Sequence, residues 1–267
     1  MIIIYFYHIP KTAGNYIYKN LQKILQTEDS KTYNFYDGPM LKKQGKYSVP
    51  QTRIDWGKVP QTYTPNSDKK IKEISDFIKN IPKLEHEYVL VHHHNGYCGL
   101  KDISVELRKS MDIINSDNGT FYLFTCLREI IPWINSHINF CIQIGINHSV
   151  ESHLTNSKTQ NYQSKYLLYN SSFWENDIEI SKEEVLETLP IINKIYTDNL
   201  DEIKTDLSRI MGKDIAWDYK KRNISKKTIE ISEDEKLALI DKNETDMWIY
   251  NLAKNKNQSR RCFYPHP

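Results

Sequence analysis

The sequence predicts an α/β fold in which helices cover both faces of a parallel sheet. Apolar, aromatic-rich stretches at residues 1–7, 87–91 and 121–127 have the composition of buried strands. Each is followed by a stretch with helical apolar spacing, and this alternation is typical of parallel sheets. The chain has 267 residues, enough for one large core, so we predict a single domain over residues 1–267.

The other elements follow the same alternation. A short fourth strand is predicted at residues 191–197. Residues 27–68 and 147–177 lack clear periodicity, and we predict loop-rich insertions around the cleft at both places, with short helices in the second. Helices are predicted at residues 15–25, 69–81, near 104–114, 130–144, 198–211 and 233–254, the last opened by a capping box of Ser232 and Glu235.

The loop after the first strand has the composition of a phosphate-binding site. Residues 8–14 (HIPKTAG) lead into a helix N-terminus, where backbone N–H groups and the helix dipole favour an anion. Lys11 adds a positive charge, Thr12 adds a hydroxyl donor, and Gly14 lets the backbone approach a ligand closely. Because Lys11 precedes Gly14, the loop differs from the common nucleotide P-loop and is only P-loop-like.

This loop resembles the 5′-phosphosulfate loop of sulfotransferases that use 3′-phosphoadenosine 5′-phosphosulfate (PAPS), in particular the heparan sulfate and uronyl 2-O-sulfotransferases. The resemblance implies a sulfotransferase fold, PAPS as donor and 3′-phosphoadenosine 5′-phosphate (PAP) as product. It also implies that Lys11 and Thr12 hold the 5′-phosphate and the sulfuryl group, with Ala13, Gly14 and Asn15 beside them. The family usually continues with Thr-Ser, where this chain has Asn15 and Tyr16.

A second motif follows the strand that ends at Leu127. Arg128 can make the forked contact that a phosphate needs, and Ser136 lies two helical turns later. This resembles the family's 3′-phosphate motif, which has an Arg at a strand end and a Ser eight positions later. Glu129 replaces the Asp of that motif, and Trp133 stands where the family often has a second Arg.

Three histidines follow the strand at residues 87–91. Alternation along a strand places His92 and His94 on one face and His93 on the other. Histidine is the usual general base because its pKa, about 6.5, lies near working pH. The family carries a His-x-His pair here, so we predict His94 as the base and His92 as its supporting partner. A zinc ion shared by His92, His94 and Cys98 is the alternative, but the spacing lacks further ligands, and no metal is predicted.

Two polar regions complete the predicted cleft. Residues 147–177 combine aromatic side chains with amides and cations, which suits sugar recognition, and a solvated insertion fits equally well. Residues 220–227 are strongly basic, and such a charge run is most often a solvated surface. The family resemblance implies instead that this loop closes over the adenosine of PAPS, with Arg222, Asn223 and Ser225 as contacts.

Composition excludes several other classes of protein. A formal net charge of +2 is too small to imply a nucleic-acid or membrane partner, and no apolar run reaches spanning length. Four scattered cysteines argue against a disulfide scaffold and indicate a reducing compartment. No signal peptide or anchor is recognised before the first strand, so we expect a cytoplasmic location.

We therefore expect a sulfotransferase that moves a sulfuryl group from PAPS to a hydroxyl of an oligo- or polysaccharide acceptor by in-line displacement. His94 would take the proton, and Lys11 would stabilise the charge on the departing phosphate. An ATP-dependent phosphotransferase is one alternative, since a phosphate loop on a parallel sheet also suits ATP. A non-catalytic nucleotide- or glycan-binding module is the other, which the departures at Asn15, Tyr16 and Glu129 leave open.

Overall fold

The computed structural model of this protein describes residues 1–25, 30–35, 67–94, 98–143, 145–169, 178–197, 199–218 and 229–262. Its centre is a five-stranded sheet, all parallel, with the order β2-β3-β1-β4-β5. The strands are β1 (Ile2–Tyr7), β2 (Ser30–Phe35), β3 (Tyr88–His93), β4 (Thr120–Cys126) and β5 (Lys194–Tyr196). The predicted class, a parallel α/β sheet, is confirmed.

Helices pack on both faces of the sheet, as predicted. On one face Ile17 and Leu21 of α1 (Gly14–Ile24) and Leu207 of α8 (Asp201–Met211) pack against Ile4 and Phe6 of β1. The residues of β1 that alternate with these, Ile3, Tyr5 and Tyr7, belong to the larger core on the opposite face. Most of the remaining helices pack against that core. The α-helices of the described residues are α1 (Gly14–Ile24), α2 (Ser67–Asn80), α3 (Leu100–Ser116), α4 (Ile130–Gln143), α5 (Val150–Thr155), α6 (Tyr162–Tyr169), α7 (Lys182–Thr188), α8 (Asp201–Met211), α9 (Glu233–Lys242) and α10 (Glu244–Cys262).

The structure corrects two of the predicted elements. The strand β2 lies inside the stretch 27–68 that we predicted to be a loop. Among the described strands it pairs with β3 alone, and an edge strand needs little apolar patterning. The stretch 147–177, predicted to form loops and short helices, contains the short helices α5 and α6 among its described residues. The single helix predicted at 233–254 is broken at Asn243, whose side chain bonds to Leu239 O (2.7 Å) and to the backbone N of Asn161 (2.8 Å).

The order of the strands creates a crevice beside β1. Tyr7, the last residue of β1, faces His93 of β3 on one side and Thr125 of β4 on the other. The chain leaves β1 into α1 on one face, and it leaves β4 into α4 on the opposite face. Parallel sheets bind ligands outside the carboxyl ends of strands whose connections diverge in this way. The fold therefore brings the loop 8–13 and Arg128 to one edge.

None of the helices in the described ranges combines the length and the apolar character that a membrane span requires.

Candidate active site

The loop between β1 and α1 has an unusual backbone at two positions. Lys11 has φ of 68° and Ala13 has φ of 66°, values that residues other than glycine adopt only where the surroundings hold them. Left-handed residues in such turns aim backbone N–H groups into a concavity that suits an anion. The buried hydroxyl of Thr12 donates a hydrogen bond to Ile9 O (2.7 Å). Thr12 thus closes the turn, and its hydroxyl must rotate before it can donate to a phosphate.

Position 14 has room only for glycine, because the imidazole of His8 occupies the space that a side chain would need. A Cβ atom on Gly14 would lie 1.7 Å from Nε2 of His8, far inside any real contact distance. We predicted that Gly14 admits a ligand, whereas the group that it admits in this structure is the His8 ring. The exposed residues of the loop are Ala13 and its neighbour Asn15.

Two cations, Lys11 and Arg128, lie near each other at the crevice. Burial lowers the pKa of Lys11, and the nearby charge of Arg128 lowers it further. Partial burial also lowers the pKa of Arg128. The ammonium of Lys11 stands 4.6 Å from the centroid of the Phe140 ring on α4. Within the described ranges neither cation forms an ion pair with a carboxylate. Partly desolvated like charges without a counter-charge favour an anionic ligand.

The helix α4 is tied directly to the loop. Nε1 of Trp133 donates a hydrogen bond to Pro10 O (2.9 Å). Trp133, which stands where the family often has an Arg, is therefore a buried support for the backbone before Lys11. Ser136, nearly one turn later on α4, is 7 % exposed. Arg222, Asn223 and Ser225 lie outside the described residues.

The histidines at the end of β3 lie on the predicted faces. The rings of His92 and His94 lie on the side of His8, and Nδ1 of His93 lies 2.9 Å from the Tyr5 hydroxyl in the opposite layer. The His94 ring stacks on the His8 ring with centroids 3.8 Å apart. His92 stacks on Tyr18 at 3.9 Å, and its Nε2 lies 3.1 Å from Nδ1 of His8. His8 is thus in contact with both rings, and the centroids of His92 and His94 are 5.9 Å apart.

The surroundings of His94 set its chemistry. Nδ1 of His94 lies 3.0 Å from His8 O, and a carbonyl can only accept, so Nδ1 carries the hydrogen and Nε2 keeps its lone pair. Burial lowers the pKa of His94 to about 4, although the hydrogen bond to His8 opposes the change. The ring is therefore neutral at pH 7, the state that a general base needs.

The structure does not support the zinc site considered at His92, His94 and Cys98. The ring nitrogens described above face His8, and the Cys98 thiol donates toward Gly99 O at 3.5 Å. Across the described ranges the one group of three or more His, Cys, Asp or Glu side chains with metal-ligand spacing lies elsewhere.

Two supporting residues were missed from the sequence. His8 is the first residue of HIPKTAG, and the continuation of the strand alternation from Phe6 could have placed it beside His92 and His94. Gln163 of α6 bonds to the backbone of Arg128 at both N and O, a contact that no local pattern signals.

A cavity of about 390 Å³ lies at the other end of α1, lined by Lys23, Ile24 and residues 213–218. It contains none of the predicted site residues. The candidate site is thus defined by Lys11 and Arg128 at the crevice, with His94 just after the end of the neighbouring strand β3.

Comparisons of this chain with protein-family models, with curated proteins and with solved structures find no match. The fold and the site define an α/β protein with an all-parallel sheet and a cationic crevice at the carboxyl ends of its strands. The resemblance to PAPS-dependent sulfotransferases rests on the sequence motifs alone.

Proposed function

We propose that this protein is a PAPS-dependent sulfotransferase that acts on a hydroxyl of a carbohydrate. The observation that carries the proposal is the placement of Lys11 after β1 and of Arg128 after the neighbouring parallel strand β4, at one edge of the sheet, where the charge of Arg128 also lowers the pKa of Lys11. A donor with phosphate groups at both ends of its ribose supplies the missing negative charge to both cations. The motifs HIPKTAG and Arg128 with Ser136 favour PAPS over other bisphosphates.

Different residues would bind the different parts of the donor. Lys11 and the N–H groups of the loop would hold the 5′-phosphosulfate, and Thr12 would join them once its hydroxyl turns from Ile9. Arg128 and Ser136 would hold the 3′-phosphate, which distinguishes PAPS from ATP. The family resemblance adds Arg222, Asn223 and Ser225 at the adenosine.

The transfer step needs a base and a stabilised leaving group. Nε2 of His94 would take the proton of the acceptor hydroxyl while its oxygen attacks sulfur. The new S–O bond forms as the bond from sulfur to the bridging oxygen of the 5′-phosphate breaks, and the electron pair of that bond leaves with PAP. Lys11 would stabilise the charge that gathers on the bridging oxygen. The stack of His8 on His94 fixes the orientation of the base.

The proposal is tested by incubating the protein with labelled PAPS and a panel of polysaccharides. We expect sulfate transfer by the wild type, transfer lost in His94→Ala, and PAP binding by calorimetry retained in that variant. The matched control is His86→Ala, because His86 precedes β3 at the opposite edge of the sheet.

Two other results would point to the alternatives. Binding of PAP without transfer to any acceptor would favour a non-catalytic nucleotide- or glycan-binding module. Preference for ATP with magnesium would favour a phosphotransferase.

A further inference from the structure

A second cluster of histidines lies beside the anion loop. His137 belongs to α4, His148 to the connection after it, and His153 to α5. Each offers one ring nitrogen, and these three atoms lie within 4.8 Å of one another. His137 and His153 are buried, and His148 is half-buried. Three imidazoles from three successive segments therefore converge on one point.

The spacing within the cluster matches that of metal ligands. Nδ1 of His137 and Nε2 of His153 are 3.2 Å apart. Two nitrogens bound to one tetrahedral zinc at about 2.0–2.1 Å are about 3.3 Å apart. A small inward movement of His148 would complete a three-nitrogen face.

One ring nitrogen of the cluster that could face an ion lacks a hydrogen bond. Nε2 of His148 is buried and has no partner among the described residues; Nδ1 of His153 also lacks one, but it lies across the ring from Nε2, the nitrogen beside His137. Native proteins rarely leave such atoms unsatisfied, and an ion or a water is a common reason when they do. This observation is independent of the spacing and points to a ligand in the cluster.

The surroundings of the three histidines suit a transition-metal ion. Sγ of Cys141 lies 3.7 Å from Nε2 of His137, where it can accept a hydrogen and orient the ring. The indole of Trp133 stacks on His137 at 5.0 Å and meets His153 edge-on at 6.0 Å. The group contains no carboxylate, which disfavours calcium and magnesium and suits zinc.

We propose that His137, His148 and His153 bind one divalent transition-metal ion, zinc before others, with a fourth position open to water or another ligand. The ion would tie α5 to α4. Through Trp133, which bonds to Pro10 O, it would also steady the loop that carries Lys11. This site is separate from the proposed sulfuryl transfer, in which no metal takes part.

The test uses the full chain, stripped with a chelator and then titrated with zinc by calorimetry and with cobalt by absorption spectroscopy. We expect one equivalent of either metal, and cobalt bands of a tetrahedral site. The variant His148→Ala should weaken zinc binding about 100-fold or more, since a ligand loss exceeds the 10–100-fold loss seen for supporting residues. The control His86→Ala should bind as the wild type does.

Folding of the variants is checked by circular dichroism, and His148 is chosen first because it is half-buried in a connection. Thermal unfolding provides a second measurement: zinc should raise the midpoint of the wild type and of His86→Ala but not that of His148→Ala. Equal zinc affinity in wild type and His148→Ala, an octahedral cobalt spectrum, or a zinc-independent midpoint in the wild type would overturn the proposal. None of these measurements uses PAPS, so their outcome is independent of the proposed function.

Discussion

The side-chain amide of Gln163 pairs with both backbone groups of Arg128: its Oε1 accepts from Arg128 N at 2.9 Å, and its Nε2 donates to Arg128 O at 2.8 Å. Gln163 is held in turn by Asp246 of α10, whose carboxylate accepts the backbone N–H groups of Gln163 (2.9 Å) and Ser164 (2.7 Å). A chain of hydrogen bonds thus runs from α10 through α6 to the cation at the end of β4. The position of Arg128 depends on residues that need not touch a ligand.

We predict that Gln163→Met weakens PAP binding while leaving every proposed ligand contact in place. The substitution keeps the volume of the side chain but leaves the N–H and C=O of Arg128 unpaired, at a cost of about 1–3 kcal/mol in unfolding free energy. The freed backbone should lower PAP affinity about 10-fold, measured by calorimetry. Gln143→Met, at the exposed end of α4, is the matched control and should change stability by less than about 0.5 kcal/mol. An unchanged PAP affinity in Gln163→Met would show that Arg128 needs no such support.

The substitution of Lys11, one of the two neighbouring cations, should weaken PAP binding without lowering the stability of the protein. Lys11→Met keeps an apolar stem over Phe140 and removes the repulsion that Arg128 exerts. We expect the ligand-free protein to be as stable as the wild type or more stable. Loss of one charged hydrogen bond, about 1.5–3 kcal/mol, should lower PAP affinity roughly 10- to 100-fold. Thermal unfolding without ligand and calorimetry with PAP measure the two effects.

The control for that comparison is Lys19→Met, which removes an exposed lysine on α1. It should leave both PAP affinity and stability close to those of the wild type. A Lys11→Met protein that unfolds more easily but binds PAP normally would mean that Lys11 serves the fold and not an anion.

The sequence was sufficient for the parts of the site that depend on buried strands. The strands β1, β3 and β4 are covered on both faces. Their sequences are therefore continuous apolar runs, which are typical of buried parallel strands. Because parallel strands end at one edge, those runs also predicted that Lys11, His94 and Arg128 follow strand ends at that edge. The faces of His92 and His93 followed from alternation.

The remaining parts depend on contacts that sequence patterns do not contain. The edge strand β2 has little apolar alternation, and its place beside β3 becomes visible only in the sheet. The register that sets Tyr7 beside His93 also sets His8 beside His94, and register cannot be read from one strand alone. Gln163 lies 35 positions from Arg128, and only the packing of α6 brings them together.

The histidines at the ends of β1 and β3 should make the fold sensitive to acid. Burial is the largest cause that lowers the pKa of each ring, to about 3 for His93, to about 4 for His94, and well below the ordinary value for His8 and His92. The unfolded chain takes up these protons at about pH 6.5. Below that pH the unfolded state binds more protons than the folded state, so the free energy of unfolding falls as the pH falls. Well above about pH 6.5 the four rings are neutral in both the folded and the unfolded state, so they leave the free energy of unfolding unchanged.

Each such ring contributes about 1.4 kcal/mol per pH unit, so the four together lower the unfolding free energy by up to about 5 kcal/mol per pH unit between about pH 6.5 and pH 4. Urea unfolding in steps from about pH 8 to about pH 5 measures this slope. We expect a nearly constant value above about pH 7 and a steep loss below about pH 6.5. His92→Phe keeps an aromatic ring against Tyr18 but removes one proton-binding group, so its slope should be shallower by up to about 1.4 kcal/mol per pH unit. The same slope in both proteins would mean that His92 takes up its proton without unfolding, and that the stacked rings tolerate a charge.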